Sequence, residues 1–313
     1  MREKQYSSTL EQTNSKSNCL KQTAIIGPTA SGKSDLALKL ATSSDSYILS
    51  LDSLSVYKEI DIVSAKPTPD ELALVPHYGI NEIYPNEPFN AMLFANIYTS
   101  LYTKALQEGK DIIIVGGTSF YLKALIDGLS KECPIENETK TKVAEILQDM
   151  GEAYKLLETV DPLYASTITH NDTFRITKAL EVYYQSGENL STWFKNNPKT
   201  PIIKGAIDII NIDIEKQKLH EKIELRTKKM VEMGLINEVQ YLLDKYTTEP
   251  NCMKSIGIKE TIEYLDGGIE SVEKLIKTIS QNTKRLAKRQ TTFNRTQFES
   301  VTPLSDSQIL YTF

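Results

Sequence analysis

Positions 27–34, Gly27-Pro28-Thr29-Ala30-Ser31-Gly32-Lys33-Ser34, have the glycine, lysine and hydroxyl spacing of a loop that cradles phosphate. Such a loop turns successive backbone N–H groups toward one point at a helix N-terminus, where the helix dipole favours negative charge. Lys33 adds a cation, and the Ser34 hydroxyl is a candidate ligand for Mg²⁺. All eight residues are therefore candidate contacts for a diphosphate or triphosphate, as in nucleotide- and ATP-binding proteins. Two further groups follow apolar runs downstream: Asp52 after residues 47–51, and Thr118 after residues 111–115 and the pair Gly116-Gly117. In nucleotide hydrolases a metal-supporting acid closes such a run. Here Asp111 opens the run, and two glycines with a hydroxyl close it, which suits hydrogen bonding to a phosphate or a departing oxygen.

These groups must be brought together by the elements between them. Residues 23–26 read as a short buried strand entering the loop, and 35–42 as the start of the helix leaving it. Residues 90–109 have helical spacing, with Leu93, Ile97, Leu101 and Leu106 on one stripe and Gly109 as the stop. Alternation of strand and helix predicts an α/β fold, a doubly wound parallel sheet of the P-loop NTPase kind. Ligands of such sheets lie outside the carboxyl ends of the strands, so the loop, Asp52 and Thr118 are expected at one edge. Residues 129–200 gain Glu, Lys and Thr and lack an apolar β-run, which predicts a small helical insertion domain with helices over 142–159 and 172–184. The core domain is then 21–128 with 201–313. Residues 202–214 return to the sheet, and helices follow over 215–233, 235–243, 258–265 and 271–293. Residues 1–20 read as a mobile tail.

With 40% hydrophobic and 25% charged residues, the 313-residue chain has the composition of an ordinary globular protein. No run reaches the ~18 apolar residues of a spanning helix and no signal-peptide core precedes the strand, which points to a cytoplasmic protein without membrane partners. Cys19, Cys133 and Cys252 form no disulfide or zinc pattern. His77, His170 and His220 lack ligand spacing, and Trp193 reads as core. A net charge of −5 argues against coating nucleic acid with the whole surface, yet residues 274–298 hold seven cations and no acid. That run is either a solvated helix face or a surface for a phosphate-rich partner.

Several spaced groups together resemble tRNA dimethylallyltransferase, the bacterial-type tRNA isopentenyltransferase. They are the loop at 27–34, Asp52-Ser53 with Tyr57 and Ser64-Ala-Lys-Pro67, Val115-Gly-Gly-Thr118 with Tyr121-Leu-Lys-Ala124, Arg175 with Ala179-Leu-Glu181, and Leu286-Ala-Lys-Arg-Gln290. The chain departs from the family pattern with Lys178 for Arg, Ser119-Phe120 for Gly-Leu, Ile258 for Tyr and Phe293 for Trp. The resemblance implies transfer of a prenyl group from dimethylallyl diphosphate to N6 of the adenosine 3′ to the anticodon, with Mg²⁺ as cofactor and a monomeric enzyme. It also implies tRNA contacts at Asp52, Ser53, Leu54, Ser55, Lys140, Phe174, Arg175, Lys178, Lys284, Arg285, Lys288 and Arg289.

The residue types suit that chemistry. Diphosphate leaves well only when its developing charge is neutralised, as Lys33, the loop amides, Arg226 and a metal at Ser34 would do. Thr118 would hydrogen-bond the departing oxygen, and Asp52 would take the N6 proton as the C–N bond forms. Each residue has a plainer reading: Asp52 as a helix cap or water-mediated metal ligand, Thr118 as a turn hydroxyl bonded to its own backbone, Arg226 as a solvated arginine. An ion pair within its own helix does not explain Arg226, because Lys222, Ile223, Lys229 and Met230 are its neighbours. Two other functions stay open on these residues, an ATP-dependent small-molecule or nucleotide kinase and a non-catalytic RNA-binding module.

Overall fold

The computed structural model describes residues 20–299 and 301–305. The tail expected over 1–20 lies outside them except for its last residue, as does Cys19. The described chain divides into two compact units, one formed up to Leu122 and from Lys204 onward, the other by Lys123–Ile203.

In the first unit the apolar run Gln22–Ile26 forms β1, and the phosphate-loop sequence leads into α1 (Lys33–Ser44), followed by β2 (Tyr47–Ser50), α2 (Pro69–Leu74), β3 (His77–Tyr78), α3 (Ala91–Glu108), β4 (Ile112–Gly116) and α4 (Ser119–Asp127). After the second unit the chain returns through β5 (Asp208–Asp213), α10 (Lys216–Glu232), α11 (Leu235–Tyr246), α12 (Ile258–Leu265), α13 (Val272–Gln297) and β6 (Thr302–Ser305). The six strands pair in the order β3-β2-β4-β1-β5-β6, every pairing parallel. Parallel strands are buried on both faces, which is why β1 and β4 are continuous apolar runs. Ile25, Ile113 and Val115 pack with Leu36, Ala37 and Ala41 of α1. Ile112 and Ile114, of opposite pleat, are fully buried as well.

Gln22 is the polar exception inside β1. It accepts from the Tyr98 hydroxyl (2.8 Å) and donates to the carbonyl of Lys204 (2.5 Å), so its amide is satisfied at both ends. Tyr98 in turn accepts from the Lys204 amide at 2.9 Å, tying the returning chain to α3.

Several expectations need correction. The buried face of α3 is Phe94, Ala95, Tyr98, Leu101 and Ala105, whereas Leu93 and Leu106 are exposed. Leu101 of the expected stripe turns inward together with the aromatics Phe94 and Tyr98, and the Tyr98 hydroxyl finds a polar partner in Gln22. The strand expected over 202–214 shortens to Asp208–Asp213, since Gly205 takes a left-handed conformation (φ 74°) that interrupts extended chain. The two-residue β3 and the polar β6 were not expected; neither carries the apolar run that marks a buried strand.

The second unit is helical: α5 (Asn137–Ile146), α6 (Met150–Val160), α7 (Pro162–Ala165), α8 (Thr173–Ser186) and α9 (Leu190–Asn196). The single helix expected over 142–159 is two, because Asp149 accepts from the amides of Gly151 (2.9 Å) and Glu152 (3.1 Å) and starts a new helix there. Its core gathers Val143, Leu157, Ile176, Leu180 and Leu190, with Trp193 packed on them and its indole N–H on the Lys131 carbonyl. Buried Asp161 caps α7 through Tyr164 N–H and accepts from the amide and hydroxyl of Ser191.

Cys133 and Cys252 are free thiols. No helix among the described residues is long and apolar enough to cross a membrane.

Candidate active site

The loop after β1, Asp52 after β2 and Thr118 after β4 all follow the carboxyl ends of neighbouring strands, since β1 pairs β4 and β4 pairs β2. The loop is built by local backbone bonds. Ser31 N–H donates to Pro28 (3.3 Å), Leu36 N–H to Gly32 (3.2 Å), and Gly32 starts α1 from a left-handed conformation (φ 90°) that favours glycine. Ala30 is also left-handed (φ 63°), so the loop holds strain at a non-glycine position. The eight loop residues are not equivalent as anion ligands. The amides of Thr29 and Ser31 already have partners, whereas those of Ala30, Gly32, Lys33 and Ser34 donate to no group among the described residues. The Ser31 hydroxyl is buried and makes no hydrogen bond among the described residues.

Lys33 is buried (8% exposed) with its Nζ 3.1 Å from the Pro28 carbonyl. Burial, helped by the nearby Arg226 charge and opposed by Asp52, lowers its pKa to about 8. Ser34, by contrast, is exposed at the start of α1 with a free hydroxyl among the described residues. A hard cation there would find the Ser34 hydroxyl, and no group of three or more His, Cys, Asp or Glu among the described residues is spaced to hold a metal. Mg²⁺ therefore fits only as an ion shared between Ser34 and phosphate oxygens.

Asp52 uses one oxygen structurally. Its Oδ1 accepts from the amides of Leu54 (2.8 Å) and Ser55 (3.2 Å), which caps the following turn, while Oδ2 accepts nothing among the described residues. The capping reading thus describes half of the carboxylate, and the other half is open to chemistry. Ser53 is exposed and Leu54 half-buried, but Ser55 is buried with its hydroxyl 3.0 Å from that of Ser50. Ser55 presents no side chain to a partner.

Thr118 donates its amide to the Leu51 carbonyl (2.9 Å), and Leu51 donates to Val115 (2.7 Å), which joins the Asp52 and Thr118 loops directly. Its half-buried hydroxyl does not bond its own backbone, nor any other described group. The glycines before it have packing reasons that the sequence did not reveal. A Cβ on Gly116 would lie 2.6 Å from the Leu51 backbone, and one on Gly117 would lie 2.5 Å from Nε2 of Gln290. Tyr121, stacked on Phe94 with centroids 5.1 Å apart, has its hydroxyl pKa pushed up to about 12 by burial and the Asp52 charge.

Arg226 is no solvated surface arginine. Its Nη1 lies 3.2 Å from the Thr29 hydroxyl, and burial lowers its pKa against the opposing pull of Asp52. Gln290, quoted in the family motif but not expected in the site, accepts from Thr29 N–H (2.9 Å) and donates to the Gly117 carbonyl (3.0 Å). Nothing in its spacing marks it, since 261 residues separate it from Thr29.

The basic helix α13 is less free than its sequence suggests. Lys274 pairs with Glu270 (3.2 Å), Lys284 with Glu224 of α10, and Arg285 donates to Asn282 (3.0 Å). Both acids, Glu270 and Glu224, lie outside residues 274–298, which is why the run read as unpaired. Lys288 and Arg289 are exposed and make no ion pair among the described residues. In the second unit Lys140, Phe174, Arg175 and Lys178 are all exposed. Phe174 stands 72% exposed at the start of α8, Arg175 pairs with Asp172 (3.2 Å), and Lys178 with buried Glu181 (2.7 Å).

The IPP transferase family model matches residues 55–297. The chain is 48% identical over 290 residues to the tRNA dimethylallyltransferase of Sulfurovum sp. (strain NBC37-1), covering 93% of this chain and 96% of that protein. It is 50% identical over 280 residues to that of Sulfurimonas denitrificans, covering 90% and 94%. Its fold is similar to the crystal structure of the full-length tRNA isopentenylpyrophosphate transferase from Bacillus halodurans (TM-score 0.67, 30% identity, 94% of each chain). It is also similar to a eukaryotic dimethylallyltransferase captured acting on tRNA (TM-score 0.80, 25% identity, 92% of this chain and 74% of that one).

Proposed function

The chain belongs to the IPP transferase family, and on that premise we propose that it transfers a dimethylallyl group from dimethylallyl diphosphate to N6 of the adenosine 3′ to the anticodon in tRNA. The donor's diphosphate lies against the amides of Ala30, Gly32, Lys33 and Ser34, with Lys33 and Arg226 supplying positive charge. Ser34 would hold Mg²⁺, which would add further charge neutralisation. Thr118 donates its hydroxyl to the oxygen that leaves. Asp52 Oδ2 accepts the N6 proton as the N6–C1 bond forms and the C1–O bond breaks, and diphosphate departs with the bonding electron pair.

One observation supports this reading: the Thr118 amide on the Leu51 carbonyl, which joins the loop carrying a free Thr118 hydroxyl to the loop carrying the free half of the Asp52 carboxylate. A proton acceptor and a leaving-group donor on adjacent loops suit alkyl transfer better than phosphoryl transfer, where a second metal-holding acid is needed. Lys288 and Arg289, with Phe174, Arg175, Lys178 and Lys140 of the second unit, meet the RNA. The Arg175–Asp172 pair is exposed and worth only about 0.2–1 kcal/mol, so a phosphate displaces it at little cost. The enzyme acts as a cytoplasmic monomer.

The test is incubation of the purified protein with Mg²⁺, radiolabelled dimethylallyl diphosphate and unmodified tRNA, with ATP in a parallel reaction. Label in the RNA without ATP is expected. ATP consumption with no label in the RNA would establish a kinase instead.

A further inference from the structure

We propose that Gln290 is a positioning residue that sets the separation between the phosphate loop and Thr118. The inference rests on the prenyl-transfer reading and extends it. The side-chain amide of Gln290 has one acceptor and one donor engaged on two different backbone segments, Thr29 N–H at 2.9 Å and the Gly117 carbonyl at 3.0 Å. A single planar amide bonded on both sides holds two strands at one spacing, which an apolar side chain of the same size does not do. Gly117 is shaped to receive it, since a Cβ there would strike Nε2 at 2.5 Å.

Both bonds lie next to reacting groups. Thr29 is the residue whose hydroxyl takes the Arg226 guanidinium (3.2 Å), and Gly117 precedes Thr118, itself fixed to Leu51 beside Asp52. Gln290 therefore closes a chain of contacts running Arg226, Thr29, Gln290, Gly117, Thr118, Leu51, Asp52. Without it no hydrogen bond among the described residues directly joins the loop that holds the diphosphate to the loop that hydrogen-bonds the departing oxygen. Gln290 touches neither substrate nor the reacting atoms in this scheme. Its contribution is geometric, and the transition state is sensitive to such slack.

Gln290→Leu and Gln290→Glu test the brace, with intact folding checked by thermal melting. In Q290L the kcat for prenyl transfer is expected to fall about 10- to 100-fold, with the KM for tRNA within about twofold of wild type. The Thr29 amide, protected in wild type, is expected to exchange faster in Q290L, a readout independent of the reaction. Q290E supplies a rescue, because a protonated carboxyl carries one donor and one acceptor and can make both bonds, whereas the carboxylate can only accept. Its activity relative to wild type is expected to rise as pH falls. The same ratio for Q290L stays flat, and taking ratios removes every titration shared by all three enzymes. A raised tRNA KM with unchanged kcat would make Gln290 an RNA contact and overturn the proposal, as would unchanged Thr29 exchange. If wild type itself transfers no prenyl group, the reaction assigned above fails, and Thr29 exchange still decides the brace. Should Q290L not fold, the pH dependence of Thr29 exchange in Q290E carries the decision.

Discussion

The guanidinium of Arg226 donates to the hydroxyl of Thr29 at 3.2 Å, across 197 residues of sequence. A half-buried arginine thereby stands at the mouth of the phosphate loop with Lys33, and each cation suffers from burial while Asp52 offsets part of the cost. Asp52 offsets these two cations only in part, and a bound diphosphate supplies further negative charge. Arg226→Gln is expected to reduce kcat/KM for the prenyl donor by about 10²-fold, in line with loss of one preorganised donor to developing charge, with tRNA affinity retained. Steady-state kinetics with each substrate varied in turn checks this.

Lys33 sets a pH dependence of donor binding. Its free-enzyme pKa of about 8 lies below the ordinary lysine value, and an anion bound against it raises that pKa again. Below pH 8 Lys33 is charged in both states and contributes no slope. Above pH 8 the free enzyme must take up a proton to bind, so affinity falls by up to about tenfold per pH unit until the bound-state pKa is reached. Titration calorimetry with inorganic diphosphate in buffers of different ionisation enthalpy is expected to show proton uptake at pH 9 and none from this group at pH 7. In Lys33→Arg the uptake disappears.

Asp52→Ala and Thr118→Ala are each expected to lower turnover by at least about 10²-fold while RNA binding survives. Thr118→Ser, which keeps the hydroxyl, loses less. Asp52→Ala also removes the cap on Leu54 and Ser55 and so loosens the turn, whereas Asp52→Asn keeps an Oδ1 acceptor and isolates the loss of the base. Normal turnover in both alanine variants would remove these residues from the chemistry.

Neutralising the cations of α13 is expected to act unevenly. Lys288→Gln with Arg289→Gln weakens tRNA binding and reduces the slope of log K against log salt by about 1 to 2, since each phosphate contact contributes just under one unit. Lys284→Gln changes the slope less, because Lys284 is paired with Glu224. Binding isotherms across a salt series distinguish the two positions, and equal effects would mean that the Glu224 pair opens on RNA.

Gly116→Ala is expected to destabilise the first unit by about 1–3 kcal/mol, the cost of overpacking, because its Cβ would meet backbone and not a side chain that can swing away. Gly109→Ala, with nothing within 4 Å but a left-handed φ of 67°, costs about 1 kcal/mol. Denaturant unfolding compares them.

The sequence by itself determined the central strands, the phosphate loop and the edge at which Asp52 and Thr118 meet it. These follow from local signals, since a buried parallel strand must be a continuous apolar run and a phosphate loop needs its glycines and lysine at fixed spacing. The helix stop at Gly109 was legible for the same reason, being decided within one turn of chain. The inward face of α3 was legible only at Leu101 and Ile97, because the leucine and aromatic positions share one period, and Gln22, 76 residues from Tyr98, gives the aromatic its polar partner. Edge strands β3 and β6 carried no apolar signal.

Only the tertiary structure decided how the site is held. It brought Arg226 to Thr29, engaged half of Asp52 in a turn, withdrew Ser55 and Lys284 into internal contacts, and bridged Thr29 to Gly117 through Gln290. Each is a hydrogen bond or ion pair whose strength depends on distance and direction and not on residue type. The bonds of Arg226, Lys284 and Gln290 join residues far apart in the chain, so no local spacing records them.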